Sequence, residues 1–418
     1  MSRVIKLEEL CLPDQIGKYG IPAVAEEFSE DKVRYLRITD IDDYGNLLEN
    51  DKKSVSSPEI EKYILKEGDI VFARTGNSTG RTYYHEEKNG ELAFAGFLIK
   101  FSLDKSKVNP KYLKYFTISK PYKQWVDNLS NGSTRGNINA KTFADCPIIL
   151  PSREQQDYLV RVLSSLEDKI QINNQINQEL EAMAKTLYDY WFVQFDFPDQ
   201  NGKPYKSSGG KMVYNPELKR EIPEGWGVEK LGDVAQFKNG INYEKTSSGS
   251  EKVKIINVRN ISSSTTFINQ TDLDKIFLEN DKSTNFIVNE GMILITRSGI
   301  PGATRLVSEL EAKTVYSGFI IASEVNDLIY KNLIFYYLKN IEEVLKNQSA
   351  GTIMKNISQS VLIDMVISLP PQNVLLKFNS IIDNLLEQMK NVQKQNQELT
   401  QLRDWLLPML MNGQVKVE

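Results

Sequence analysis

Asn177-Gln178-Glu179-Leu180 returns 219 residues later as Asn396-Gln397-Glu398-Leu399. At the same shift, Gly132, Asn137, Ile138, Asp145, Leu150, Pro151, Leu166 and Leu187 fall on Gly351, Asn356, Ile357, Asp364, Leu369, Pro370, Leu385 and Leu406. A constant shift across that many identities marks a tandem duplication, so both halves fold as versions of one unit. Upstream the shift drifts slightly: Glu67-Gly68 and Arg74-Thr75-Gly76 are answered by Glu290-Gly291 and Arg297-Ser298-Gly299, and Gly96-Phe97 by Gly318-Phe319.

The repeated stretch is helical. Leu159, Leu163, Leu166, Ile170, Asn173, Asn177, Leu180, Ala184, Leu187 and Trp191 follow 4-3-4-3 spacing. Phe378, Ile382, Leu385, Met389, Val392, Asn396, Leu399, Arg403, Leu406 and Leu410 repeat it in the second half. Two seams of one length predict two long helices packed as an antiparallel coiled coil, with Asn177 and Asn396 as matching polar seam positions that fix register. The alternative is that each helix packs only on its own globular half.

Before each helix, glycine-bounded apolar runs such as Asp69-Ile70-Val71-Phe72-Ala73 and Met292-Ile293-Leu294-Ile295 read as strands, with helices near 110–126 and 328–345. The expected fold is α+β: two pseudo-repeated, β-rich globular domains, residues 1–151 and 226–370, joined by spacer helices at 152–195 and 371–411. Residues 196–225 hold Phe197-Pro198-Asp199-Gln200-Asn201-Gly202 and Ser207-Ser208-Gly209-Gly210, a proline and glycine density that reads as a linker between domains.

The 418 residues are 40% hydrophobic and 25% charged, near globular averages, which sets aside disorder and fibrous classes. No apolar run approaches the ~20 residues of a membrane helix and no signal segment opens the chain, so a cytoplasmic location is expected. Two cysteines, Cys11 and Cys146, cannot make a disulfide framework or a thiolate zinc site. The single histidine, His85, reads as a surface residue and leaves no Ser-His dyad or histidine metal site. There is no G-x-x-x-x-G-K-[ST] loop. Asn109-Pro110-Lys111-Tyr112 only superficially matches the Asn-Pro-Pro-Tyr of amino-methyltransferases, since the second proline is missing. Neither a catalytic site nor a metal is expected.

What repeats instead is a pair of polar loops. Arg74-Thr75-Gly76-Asn77-Ser78-Thr79-Gly80-Arg81 is answered by Arg297-Ser298-Gly299-Ile300-Pro301-Gly302-Ala303-Thr304-Arg305, and Asn131-Gly132-Ser133-Thr134-Arg135-Gly136-Asn137-Ile138 by Ala350-Gly351-Thr352-Ile353-Met354-Lys355-Asn356-Ile357. Arginine, short hydroxyls and amides reach phosphates and base edges, and glycine lets a backbone approach closely. The competing reading is a tight turn whose arginines pair with the domain's own acids, with Asn137 and Asn356 as turn residues. Net charge is −4, yet seven lysines between Lys100 and Lys123 oppose only Asp104, a local net of +6 that is either a DNA contact or a solvated helix face.

Taken together, the two half-repeats, the linker running into Ile222-Pro223-Glu224-Gly225-Trp226, and the paired motifs at 67–76 and 290–299 resemble the DNA-specificity subunit of type I restriction-modification systems along essentially the whole chain. The resemblance implies two target-recognition domains, each reading one half of a split site in double-stranded DNA. It implies docking of two modification (methyltransferase) subunits that carry S-adenosylmethionine, and recruitment of a restriction subunit. It implies no catalysis and no cofactor in this chain. The 38 residues from Glu154 to Trp191 would span about 57 Å as a helix, on the order of 17 base pairs of DNA. Candidate DNA contacts are Arg74, Thr75, Asn77, Ser78, Arg81, Lys111, Lys114, Lys123, Ser133, Thr134 and Arg135 in the first half, and Arg297, Ser298, Arg305, Thr352 and Lys355 in the second. Met292 in place of Asp69, and Ile353-Met354 in place of Thr134-Arg135, leave open whether the second half touches DNA as the first does. The alternative class is a non-enzymatic scaffold with two ligand-binding domains on a coiled-coil spacer, which accounts for the duplication but not for the Arg/Gly loops.

Overall fold

The computed structural model describes residues 3–49, 51–130, 137–243, 249–347 and 356–412. The chain divides into two compact units, residues 1–170 with 398–418, and residues 171–397. The division falls inside both long helices, so each unit holds a globular half and one end of each helix.

In the first unit, the opening strand Arg3–Lys6 pairs antiparallel with Pro147–Leu150, closing the domain on itself. In the second unit, Gly227–Lys230 pairs with Val366–Leu369 in the same way. Even the clasping ion pair is duplicated: Lys6 to Asp145 at 2.5 Å, and Lys230 to Asp364 at 3.0 Å. Inside each clasp lies an antiparallel four-stranded sheet of one topology. Its order is Lys18–Tyr19, Leu98–Ser102, Asp69–Ala73, Thr82–Tyr84 in the first unit, and Ala235–Asn239, Ile320–Val325, Ile293–Thr296, Thr304–Leu306 in the second. A second sheet in each unit contains one parallel pairing, Arg34–Leu36 with Leu92–Phe94 and Glu251–Ile256 with Thr314–Tyr316.

Helices follow where Asn109 caps Pro110, its side chain accepting from the Lys111 N–H, to give Pro110–Thr117 and then Lys120–Ser130. The second unit's counterpart is Lys331–Asn347. The first long helix, Arg153–Tyr188, begins after Pro151 where Ser152 and Gln155 exchange hydrogen bonds as a capping box, and ends in a π turn, Asp189–Val193. The second runs Gln372–Met411.

The apolar seam faces inward as its spacing predicts. In the first unit Leu159 and Leu163 are buried with Met411, beside Leu406, Leu407 and Leu410. In the second, Leu180, Ala184 and Trp191 are buried with Phe378, Ile382, Leu385 and Met389. Leu166, Ile170 and Leu399 are half-buried. Within the second unit the helices run antiparallel, because Asn173 meets Asn396 while Trp191 meets Phe378, ring centroids 5.7 Å apart. The polar contact is not the matched pair expected: Asn396 bonds Asn173 (2.9 Å) and Asn174 (2.8 Å), while the buried Asn177 Oδ1 has no partner among the described residues. The antiparallel crossing sets Asn396 against the preceding turn of the first helix.

The linker expected at 196–225 is folded. Met212–Asn215 and Arg220–Pro223 form a hairpin. Phe195, Phe197, Ile222 and Trp226 are buried in the second unit's core, with Phe197 stacked on Tyr205 at 4.7 Å. Its prolines and glycines punctuate turns between aromatic anchors.

Candidate nucleic-acid interface

In both units the central strand delivers an arginine to the same point. The Arg74 N–H donates to the Phe97 carbonyl (3.0 Å), and the Arg74 carbonyl accepts from Ile138 N–H (2.9 Å). Arg297 repeats both bonds, to Phe319 (2.9 Å) and from Ile357 (3.0 Å). The described end of the second repeated loop therefore meets the start of the first, in each unit separately, because Ile138 and Ile357 are tied to the arginines that open the first loops.

A third segment completes the site. Tyr19-Gly20-Ile21 runs beside Ala95-Gly96-Phe97, with Ile21 N–H on the Phe94 carbonyl (2.9 Å) and Gly96 N–H on the Ile21 carbonyl (2.9 Å). Asn239-Gly240-Ile241 makes the same bonds to Tyr316 (2.9 Å) and from Gly318 (2.7 Å). A Cβ on Gly20 or Gly240 would lie 2.2 or 2.3 Å from a facing carbonyl oxygen, so only glycine permits this approach. Tyr19 was not anticipated as a site residue. The signal was a Lys-x-Gly-Ile match, 18–21 against 238–241, at a shift one residue larger than that of the helices.

The side chains diverge on this shared frame. The Arg74 guanidinium lies over the Tyr19 ring at 5.0 Å, and its Nε and Nη2 both reach Asn137 Oδ1 at 3.3 Å. Arg297 turns back to the Gly318 carbonyl (3.2 Å), and its buried Nε has no partner among the described residues. Thr75 bridges Asn137, Asn77 is exposed, Ser78 is buried and Ser298 half-buried. Ser133, Thr134, Arg135, Thr352 and Lys355 lie outside the described residues.

Several expected contacts are committed elsewhere. Arg305 does not answer Arg81: strand pairing sets Thr304 opposite Ile295 as Thr82 is opposite Phe72, so Arg305 matches Tyr83 and Arg81 matches Ala303. Arg305 is buried, with Nη1 on Glu342 Oε2 at 2.8 Å and further bonds to the Ser264 and Thr304 carbonyls. It belongs to the core and leaves the candidate set. Arg81 pairs with Asp43 (2.7 Å) and the Ile41 carbonyl, the self-satisfied turn weighed above. Lys111 and Lys114 face inward to Glu86 (2.8 Å) and Glu167 (2.7 Å), and Lys100 is buried against Asp69 (3.3 Å). Burial opposes ionisation of Glu86, but the Lys111 hydrogen bond and charge outweigh it and hold the carboxyl below its ordinary pKa. Three of the seven lysines in the apparent basic run are thus committed to internal pairs. Lys123 alone of the three candidate lysines is exposed, its ammonium 5.8 Å from the Tyr44 ring. It lines a cleft of about 240 Å³ with Arg81, Asp43 and Tyr122.

Nucleophiles are poorly placed. His85 is buried, not at the surface, with Nδ1 3.3 Å from the Tyr83 hydroxyl, and burial lowers its pKa below the ordinary 6.5. Burial pushes the Cys11 and Cys146 thiols up to about 12. Among the described residues no group of three His, Cys, Asp or Glu side chains is placed to hold a metal, and no helix is long and apolar enough to cross a membrane.

The type I restriction modification DNA specificity domain matches this sequence twice, over residues 6–182 and 223–401. The MjaIX type I restriction enzyme specificity subunit of Methanocaldococcus jannaschii is 29% identical over 320 residues, 76% of this chain and 71% of that protein. The HindI specificity subunit of Haemophilus influenzae is 22% identical over 420 residues, 86% of this chain and 89% of that one. A crystal structure of a type I restriction-modification S subunit from M. genitalium shares the fold, with a TM-score of 0.54 at 15% identity over 98% of this chain and 96% of that one. The two matched segments span most of the chain, and each contains one copy of the arginine site, so the chain belongs to the type I restriction-modification DNA-specificity family and carries its domain in duplicate.

Proposed function

We propose that this chain is the non-catalytic, DNA-reading subunit of a type I restriction-modification complex acting in the cytoplasm. Each globular domain reads one half of a bipartite, gapped site in double-stranded DNA, and the paired helices set the gap. Two modification subunits dock on the chain and supply S-adenosylmethionine and methyl transfer, and a restriction subunit joins the full complex. The observation that carries this reading is the arginine site built twice from the same backbone bonds on two different sets of side chains. Identical frames with unlike tips suit two unlike half-sites, and hence an asymmetric target.

Arg74, Thr75, Asn77 and Asn137 are assigned to the first half-site, and Arg297, Ser298 and Asn356 to the second, with Lys123 on phosphate. The test is adenine methylation mapped genome-wide by single-molecule sequencing, in cells with the neighbouring modification subunit and with or without this chain. One gapped, asymmetric motif that depends on the chain is expected, and Arg74→Ala should relax one half of it alone. No chain-dependent motif, with an active partner and good expression, would favour a protein scaffold without DNA reading.

A further inference from the structure

Phe97 and Phe319 are among the most exposed large apolar side chains of the protein, 60% and 64% accessible. They occupy one structural position. Each is the third residue of a β-turn, closed by Leu98 N–H on the Ala95 carbonyl (2.8 Å) and Ile320 N–H on the Ser317 carbonyl (2.9 Å). The main chain of that residue accepts the N–H of Arg74 or Arg297, so ring and arginine start from adjacent backbone at the same sheet end. Turn positions favour glycine, asparagine and aspartate, and water gains nothing from a phenyl ring there. Other positions around the site have diverged: Tyr19 answers Asn239, Arg81 answers Ala303 and Asp69 answers Met292. The exposed ring and the arginine are unchanged in both.

We propose that Phe97 and Phe319 are base-contacting residues, one for each half-site, whose rings pack on the bases of duplex DNA beside Arg74 and Arg297. This rests on the DNA-reading function proposed above. The local chemistry favours nucleic acid over a protein partner. The exposed Tyr19 ring lies against the Arg74 guanidinium in the first unit, and in the second the Arg297 Nε has no partner among the described residues. Phenylalanine serves DNA readers in two ways, against the thymine methyl in the major groove or as a wedge between base steps. Either contact falls on bases rather than phosphates. Its loss therefore changes the preference at defined positions and not the overall affinity for every sequence.

The experiment uses the full chain assembled with its modification partner. The motif is mapped first, and initial methylation rates are then compared on duplexes carrying the motif or single base changes in it. Phe97→Ala is expected to cut discrimination at one or two positions of one half-site by about 10- to 100-fold, the range of a lost base-aromatic contact, and to leave the other half as before. Phe319→Ala should do the same to the opposite half, and Phe97→Trp should restore reading, which a merely structural role would not require. Alanine variants that keep full discrimination in both halves overturn the proposal. So does a uniform loss across all sequences, which marks a phosphate contact or a folding defect. If the unaltered chain directs no gapped motif at all, the DNA-reading function itself fails, and the base contact with it.

Discussion

Asp69 and Lys100 form a buried pair in the first unit, side chains 4% and 9% exposed and 3.3 Å apart. The Asp69 carboxylate also accepts from the Ser102 hydroxyl (2.6 Å) and the Lys66 N–H (2.9 Å). The second unit has already made the opposite choice. Met292 and Ala322 fill the answering positions, both buried, and the Asn289 N–H that matches Lys66 donates to the Met292 sulfur at 3.3 Å. Removing one charge of a buried pair leaves the other uncompensated, which costs about 3–5 kcal/mol, whereas replacing both by apolar groups is often neutral. Asp69→Met and Lys100→Ala should therefore each destabilise the first unit by about 3–5 kcal/mol. The double variant should cost only about 1–2 kcal/mol, chiefly the Ser102 hydroxyl left without its acceptor. Because the two units need not unfold together, the readout is local: hydrogen exchange of the peptide spanning Asp69–Ala73 across a urea series. A double variant as unstable as the two singles combined would refute the equivalence of the two cores. The same variant should keep the methylated motif, since the strand still delivers Arg74 and the lost charges lie inside the domain.

Three further outcomes follow from the placements above. Arg305→Ala should remove the guanidinium from its buried ion pair with Glu342 and destabilise the second unit by about 3–5 kcal/mol, seen as faster exchange of Thr304–Leu306. Lys111→Ala should leave the salt dependence of DNA binding by the assembled complex unchanged, whereas loss of a phosphate contact would lower the log–log slope by about 0.9. His85 is held neutral by burial, so the unfolded state binds its proton first as pH falls. Its contribution to stability is complete above pH 6.5 and drains away as pH drops from there towards the depressed native value, then levels off. His85→Gln should flatten that part of the stability curve, and an unchanged slope would show that other groups control it.

The sequence made some of this legible and hid the rest for identifiable reasons. The seam from Leu159 to Trp191 could be read because helical periodicity is local and its shift is constant. The strand Asp69–Ala73 was marked by Gly68 before it and the Arg-Thr-Gly turn after it. Equivalences across loops of unequal length were not. The second arginine loop is one residue shorter, so matching arginine to arginine placed Arg305 at the loop tip when the strand register puts it in the core. The lysine run misled because its partners, Glu86 and Glu167, lie on other elements and only the folded chain brings them opposite Lys111 and Lys114. In the linker, proline and glycine outweighed Phe197, Tyr205 and Ile222, although its aromatics, flanked by Phe195 and Trp226, could have signalled a packed segment.

Both arginine sites hang from main-chain bonds, and that explains how one frame carries two different sets of side chains. Every connection duplicated between the units at the sheet end is backbone to backbone: Arg74 and Arg297 to the turn, Ile138 and Ile357 to the arginine, Gly96 and Gly318 to the third segment. None depends on which side chain projects. Substituting Tyr19 by asparagine, or shortening the loop by a residue, therefore alters what the surface presents without moving the scaffold that aims it. Contacts that do depend on side chains, such as Asp69 with Lys100 or Arg305 with Glu342, lie inside one domain and are free to be exchanged in the other, provided both partners change together. Under the proposed DNA-reading function, a domain organised this way would acquire a new half-site by changes at the tips alone. Changes to Gly20 or Gly240 would instead drive a Cβ into a facing carbonyl and disturb every tip at once.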